Sequence, residues 1–305
     1  SDQAYIATPV VFNDVIYSLN AKHEIYALSA KSGKKLWKIK LGSEIKAKNI
    51  IAPGALAVDG INLIATLGSG DVYAVNIVRK NISWHQQMFE PVRSSPTVKD
   101  GKVFIKSLNN KLSVLDAQTG NLIWTHTGLN ESLTVLGDSS PAVSQNIAIV
   151  TYSSGEVYAL DVKTGGEVWN ESLSSSSSNL SLDTNILDVV ASPVIVGNLV
   201  HIVNYNGKLT TFNLKTGQRY WTRFVASIST PWIAGNSIFI IADDGLLASI
   251  YRKTGQVKWV VNLNDVMHAT LSKKKKAQSL FTAPVLAGNR LIIGSNKGYA
   301  ASFNP

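Results

Sequence analysis

The fold is decided by residues 192–221, which read SPVIVGNLVHIVNYNGKLTTFNLKTGQRYW. Residues 192–196 are a short apolar run, and Gly197-Asn198 supplies a tight turn. Residues 199–205 read as a second strand, and Asn206-Gly207 offers the positive φ values that a two-residue hairpin demands. Residues 208–213 alternate as a third strand. Lys215-Thr-Gly217 turns the chain again, with Gly taking a left-handed position at little steric cost. Residues 218–224 then form an outer strand ending the unit. Four antiparallel strands joined by short turns make one compact blade.

The same unit recurs along the chain. Segments 28–37, 115–124, 160–169, 212–221 and 250–259 share a Gly four residues before a Trp, and segment 75–84 keeps the Trp with Lys80 in place of Gly. The starts carry Pro9, Pro53, Pro96, Pro141, Pro193, Pro231 and Pro284, at intervals of 44, 43, 45, 52, 38 and 53 residues. A period in the forties with frequent turn signals is the signature of a β-propeller. Turn pairs recur at Asp59-Gly60, Asp100-Gly101, Gly235-Asn236 and Gly288-Asn289, and no helical periodicity competes. The expectation is an all-β, single-domain propeller over residues 1–305, with seven visible repeats starting near 8, 52, 95, 140, 192, 230 and 283. The seventh, over 282–305, stops after its third strand and lacks the Trp, so residues 1–7 are the candidate for the missing strand.

Trp37, Trp84, Trp124, Trp169, Trp221 and Trp259 sit where an outermost strand ordinarily shows water a polar residue. A Trp buries roughly 150–250 Å², an upper bound near ~4–6 kcal/mol each. Repetition at one position reads as a structural dock between blades; a row of stacking platforms would not explain the period.

Composition narrows the function. The 305 residues carry 29 Lys and Arg against 20 Asp and Glu, a net charge of +9, scattered through turns and outer strands apart from the run Lys273–Lys276. Such scatter reads as a solvated surface, and no nucleic-acid partner is expected. With no cysteine, disulfides, thiol catalysis and Cys-bound metal are excluded. His23, His85, His126, His201 and His268 share no repeat position and no metal-ligand spacing, and residues 183–188 lack the alternating oxygens of a calcium loop. No G-x-S-x-G or phosphate-binding glycine loop occurs. Neither catalysis nor a cofactor nor a metal is expected. The long insertions, 42–52, 129–138, 174–190 and 264–281, all fall between blades, where they share a face with the second-to-third-strand hairpins. Insertions gathered on one face mark it for binding.

The pattern Asp-x-x-Thr-Gly-x-x-x-Trp with its Ser-Pro start resembles the tryptophan-docking propellers of the pyrroloquinoline-quinone type, over the whole chain. Within them, residues 133–141 (LTVLGDSSP) and 188–193 (DVVASP) resemble two loops of the BamB family of outer-membrane assembly lipoproteins. That resemblance implies a scaffold on the periplasmic side of a Gram-negative outer membrane. It also implies a BamA-like barrel-inserting subunit as partner, docked through Leu133, Val135, Leu136 and Asp188, with unfolded outer-membrane proteins as further clients. Leu136 stands where that family has Arg, and Val190 where it has a second Asp, which makes the patch more apolar. Contact with the membrane is expected only through a lipid anchor that the chain does not carry. Two alternatives stay open: a quinone-dependent dehydrogenase, and a propeller that senses polypeptide.

Overall fold

A computed structural model describes residues 6–42, 54–129, 139–173, 191–204, 207–225, 227, 229–270 and 279–305. It is a seven-bladed β-propeller. Six sheets are four-stranded and antiparallel, each with its strands in chain order, over residues 10–40, 54–87, 97–127, 142–172, 194–224 and 232–262. The seventh, over 285–303, has three strands. In blade five the strands run Val194–Val196, Leu199–Val203, Lys208–Asn213 and Arg219–Phe224. Gly197 and Gly207 stand at φ 63° and 72°, as their turns require.

The chain divides into two compact units, residues 1–130 with 162–165, and residues 131–161 with 166–305. In the first, Leu19, Ile25, Leu63 and Leu67 are buried together, and Ile64, Val103 and Ile105 form a second cluster. In the second, one cluster centres on Ile149, Val200 and Phe212 and another on Val203, Ile238 and Ile250. The second and third strands of each complete blade supply these residues, while the fourth strand alternates. In KLWKIK, LIWTHT and EVWNES only the Trp and its alternate neighbour turn inward.

One irregularity repeats with the period. The pairing of third and fourth strands shifts register after Ala27, Ala74, Val114, Ala159, Thr211 and Ser249, and each of these residues pairs with the blade's Trp. A bulge strengthens twist and re-aims a side chain. Here a small or short side chain lies opposite the indole in each case.

Two places where the sequence reading is least explicit are residues 1–7 and the insertion after blade six. Of residues 1–7, only Ile6 and Ala7 are described, and the Ile6 amide donates to the Leu19 carbonyl at 3.0 Å. That contact belongs to blade one, and residues 1–5, the rest of the candidate for the missing strand, lie outside the described residues. Within the insertion after blade six, Leu263–Thr270 is a helix. Asn262 accepts the Asn264 amide at 2.9 Å and Asp265 lies in the first turn, both favourable at a helix start. Eight residues are too few for periodicity to reveal.

Candidate partner-binding face

The candidate face is built by the way each blade ends. After the fourth strand, the first linker amide returns to the hairpin between strands two and three. In the first unit Leu41 donates to the His23 carbonyl at 2.8 Å, Met88 to Gly70 at 2.9 Å and Gly128 to Asn110 at 2.9 Å. In the second unit Leu173 donates to Gly155 at 2.9 Å, Val225 to Gly207 at 2.7 Å and Leu263 to Gly245 at 2.9 Å. The first-to-second and third-to-fourth turns meet at the other end, as where Leu214 donates to Asn198 at 3.0 Å. Linkers and inner hairpins therefore share one end of each blade.

That end shows water large apolar groups. Phe89 is 89% exposed and Leu129 63% in the first unit; Phe224 and Leu280 are as open in the second. Phe89 stands at φ 58°, a conformation bulky residues rarely adopt. It is held there from both sides. The Met88 amide is fixed to Gly70, and the Glu90 backbone packs so closely on Gly70 that a Cβ there would lie 2.4 Å from the Glu90 carbonyl oxygen. Lys111 pairs with the Glu90 carboxylate at 3.2 Å. A supported outlier carrying an exposed ring is a functional candidate. Sequence reasoning missed it, although a Phe in a polar linker just before Pro91 was the available signal. Leu129 is pinned by Asn110, which donates to its carbonyl at 2.7 Å.

Leu133, Val135, Leu136 and Asp188, the partner-contact residues expected from sequence, lie outside the described residues, as do Lys273–Lys276. The six Trp are all on fourth strands. The Trp84 indole donates to the Ala117 carbonyl at 3.0 Å and Trp124 to Val162 at 3.1 Å; Trp169 donates to Leu214 at 2.8 Å and Trp221 to Arg252 at 3.2 Å. A Cβ added at Gly120, Gly165, Gly217 or Gly255 would stand 2.7–2.8 Å from the same four rings. Only Gly lets the ring lie this close. Trp37 packs with Tyr17 and Trp259 with Phe239, at ring centroids of 5.7 and 6.0 Å.

The polar groups at this end bind one another. Lys38, Asn20 and Tyr26 all reach the Glu24 carboxylate, at 2.8, 2.9 and 3.0 Å, and bring its pKa down to about 2. Ser69, Asp71 and His85 look like a nucleophile set but are wired differently. Ser69 Oγ donates to Asp71 Oδ2 at 2.6 Å, and His85 Nε2 meets Asp71 Oδ1 at 2.7 Å. The carboxylate separates hydroxyl from imidazole, so the imidazole is not placed to take the hydroxyl proton. Among the described residues no three His, Asp or Glu cluster as metal ligands, and no helix is long and apolar enough to cross a membrane.

A family profile described as outer membrane protein assembly factor BamB matches residues 21–261. The chain belongs to the BamB family. BamB of Yersinia pestis is 25% identical over 288 residues, covering 93% of this chain and 70% of the relative. BamB of Salmonella typhimurium is 28% identical over 299 residues, covering 97% and 73%. The crystal structure of BamB from Moraxella catarrhalis superposes with a TM-score of 0.80 over 100% of this chain and 87% of that one, at 17% identity. That last likeness speaks for the fold.

Proposed function

We propose that this chain is a non-catalytic scaffold of the machinery that assembles outer-membrane β-barrels, acting as one propeller domain on the periplasmic side of a Gram-negative outer membrane. The observation that carries the reading is the BamB family match over residues 21–261. The end of the blades that gathers linkers and inner hairpins supports it, because it presents apolar side chains on backbone held by hydrogen bonds. The partner is the periplasmic part of a BamA-like barrel-inserting subunit. Leu133, Val135 and Leu136 supply apolar contact and Asp188 one charge, with Phe89 and Leu129 extending the apolar surface. A few desolvated anchors of this kind carry most of an interface's energy.

The test is a calorimetric titration of the full chain with the purified periplasmic domains of the barrel-inserting subunit. The wild type is expected to bind with a Kd of about 1 µM or tighter, on the order of 8 kcal/mol. Leu133→Glu with Val135→Glu, folded by circular dichroism, should abolish binding, and Phe89→Glu should weaken it about tenfold, ~1.4 kcal/mol. No binding by the wild type overturns the assignment.

A further inference from the structure

The repeat sets its own standard, and one junction departs from it twice. The carbonyls that accept a Trp N–H belong to Ala117, Val162, Leu214 and Arg252. The first three side chains are buried and apolar, and the aligned positions of blades one and two hold Ala30 and Ile77. Arg252 alone is charged. The strand row beneath each Trp begins with Tyr17, Ile64, Phe104, Ile149 or Phe239 in five blades and with His201 in blade five. His201 and Arg252 thus fall at the same junction, under Trp221. Burial and the Arg252 charge together hold the imidazole neutral, with its pKa down to about 3. Arg252 Nε and His201 Nε2 are both buried without a hydrogen-bond partner.

Outward from Arg252 opens a cleft of about 430 Å³, at the end of blades five and six away from the linkers. Val196, Leu199 and the ring of Tyr220 form its walls; among the described residues, Arg252 and Lys253 are its only ionisable groups besides the Tyr220 phenol. Neither cation forms an ion pair among the described residues. Arg252 Nε is closed off in the junction, so an acceptor in the cleft meets the terminal N–H groups of the half-buried guanidinium. The guanidinium is a charge whose burial costs free energy unless it is paired. Its planar fork matches a carboxylate, and apolar walls beside a few polar groups are the ordinary make-up of a small-ligand site.

We propose that this cleft binds an organic carboxylate with an apolar body, the carboxylate on Arg252 and Lys253 and the body against Val196, Leu199 and Tyr220. The site is separate from the partner-binding face and does not depend on it.

The probe is N-acetylphenylalanine, titrated into the full chain and followed by calorimetry and by intrinsic tryptophan fluorescence, one of whose seven sources is Trp221, whose indole donates to the Arg252 carbonyl. Its amide is the uncharged control and phenyl phosphate the alternative anion. The variants are Arg252→Ala and Lys253→Gln, which install the residues blade three carries as Ala117 and Gln118. Saturable binding of the acid is expected, at least tenfold weaker for the amide, at least tenfold weaker in Arg252→Ala and about threefold weaker in Lys253→Gln. Absence of saturable binding overturns the proposal, and so does equal binding of the amide. Phenyl phosphate binding tenfold tighter overturns the carboxylate assignment. If Arg252→Ala fails to fold, Lys253→Gln decides, and an unchanged affinity there overturns the site.

Discussion

Between blades four and five, Trp169 lies over Gly217 and donates to the Leu214 carbonyl, and its floor is Ile149, Val200 and Phe212 with Leu214 beside them. One blade on, Trp221 lies over Gly255, donates to the Arg252 carbonyl and packs on a cluster with Ile238 and Ile250. Its own blade's row, however, is His201 and Thr211 where Trp169 has Ile149 and Ala159. There His201 Nδ1 and Thr211 Oγ1 lie 2.7 Å apart, and Arg252 replaces Leu214. The dock is the same and the floor is not. What the repeat demands is a Trp, a left-handed Gly and a carbonyl; the row beneath is free to carry something else.

The largest effects come from removing the dock. Trp169→Ala should cost about 4 kcal/mol in urea denaturation, and Trp221→Ala about 3 kcal/mol. The second loss is smaller because the space opened beside His201 and Arg252 has polar side-chain atoms for water to satisfy, whereas the cavity over Phe212 has only the Leu214 carbonyl that Trp169 leaves behind. Equal losses would mean that the two floors are energetically alike. Next comes the Gly. At Gly217, φ is 72° and a Cβ would sit 2.8 Å from Trp169 Cδ2; at Gly235, φ is 56° with nothing within 4 Å. Gly217→Ala should cost about 3 kcal/mol and Gly235→Ala about 1 kcal/mol, the excess being the displaced ring. Matching losses would show that the ring yields freely.

The polar floor also makes a pH prediction. With its folded pKa pulled to about 3 by burial first and by Arg252 second, His201 stays neutral in the native state. The unfolded chain takes up that proton as pH falls below the ordinary 6.5 and the folded chain does not. Stability is therefore full above 6.5 and falls below it, by up to about 1.4 kcal/mol per pH unit. His201→Phe installs the residue that Phe104 and Phe239 provide elsewhere. It should lose about 2 kcal/mol less than the wild type between pH 7 and pH 4.5. Parallel acid limbs for the two proteins would remove His201 as the cause.

The fold was legible in the chain because turn chemistry and packing repeat. The third strand of blade five runs over 208–213 as its alternation predicts, and the turns at Gly197 and Gly207 carry the φ values expected of them. The helix Leu263–Thr270 was not legible, since its signals are an Asn cap and one Asp. The candidate face was legible as a set of loops, because chain direction alone puts linkers and inner hairpins at one end. Phe89 was hidden because its prominence comes from a backbone conformation imposed by Glu90 packing on Gly70. Arg252 was in plain view in the aligned repeats. Its meaning depends on knowing that the aligned side chains are buried and that His201, in another blade, lies at the same junction.

The smallest predicted effect concerns the turn that precedes each Gly. Blades one, two, three and five place a short polar side chain there that accepts backbone amides: Ser29 from Ser32, Asn76 from Val78 and Arg79, Asp116 from Gln118 and Thr119, Asn213 from Lys215 and Thr216. Blade six has Tyr251, whose ring instead lies under the Lys258 ammonium at 4.5 Å. A capping oxygen in such a turn is worth about 1 kcal/mol, and an exposed cation–π contact about 0.5 kcal/mol. Tyr251→Asn should therefore stabilise the chain by about 0.5 kcal/mol, read as a rise in the urea midpoint at constant slope. The reverse exchange, Asn213→Tyr, should cost about 1 kcal/mol, because Lys215 and Thr216 lose their acceptor and no ammonium is placed over the new ring. If both exchanges destabilise, the Tyr251–Lys258 contact outweighs a cap, and blade six departs from the repeat because its own turn is the stronger one.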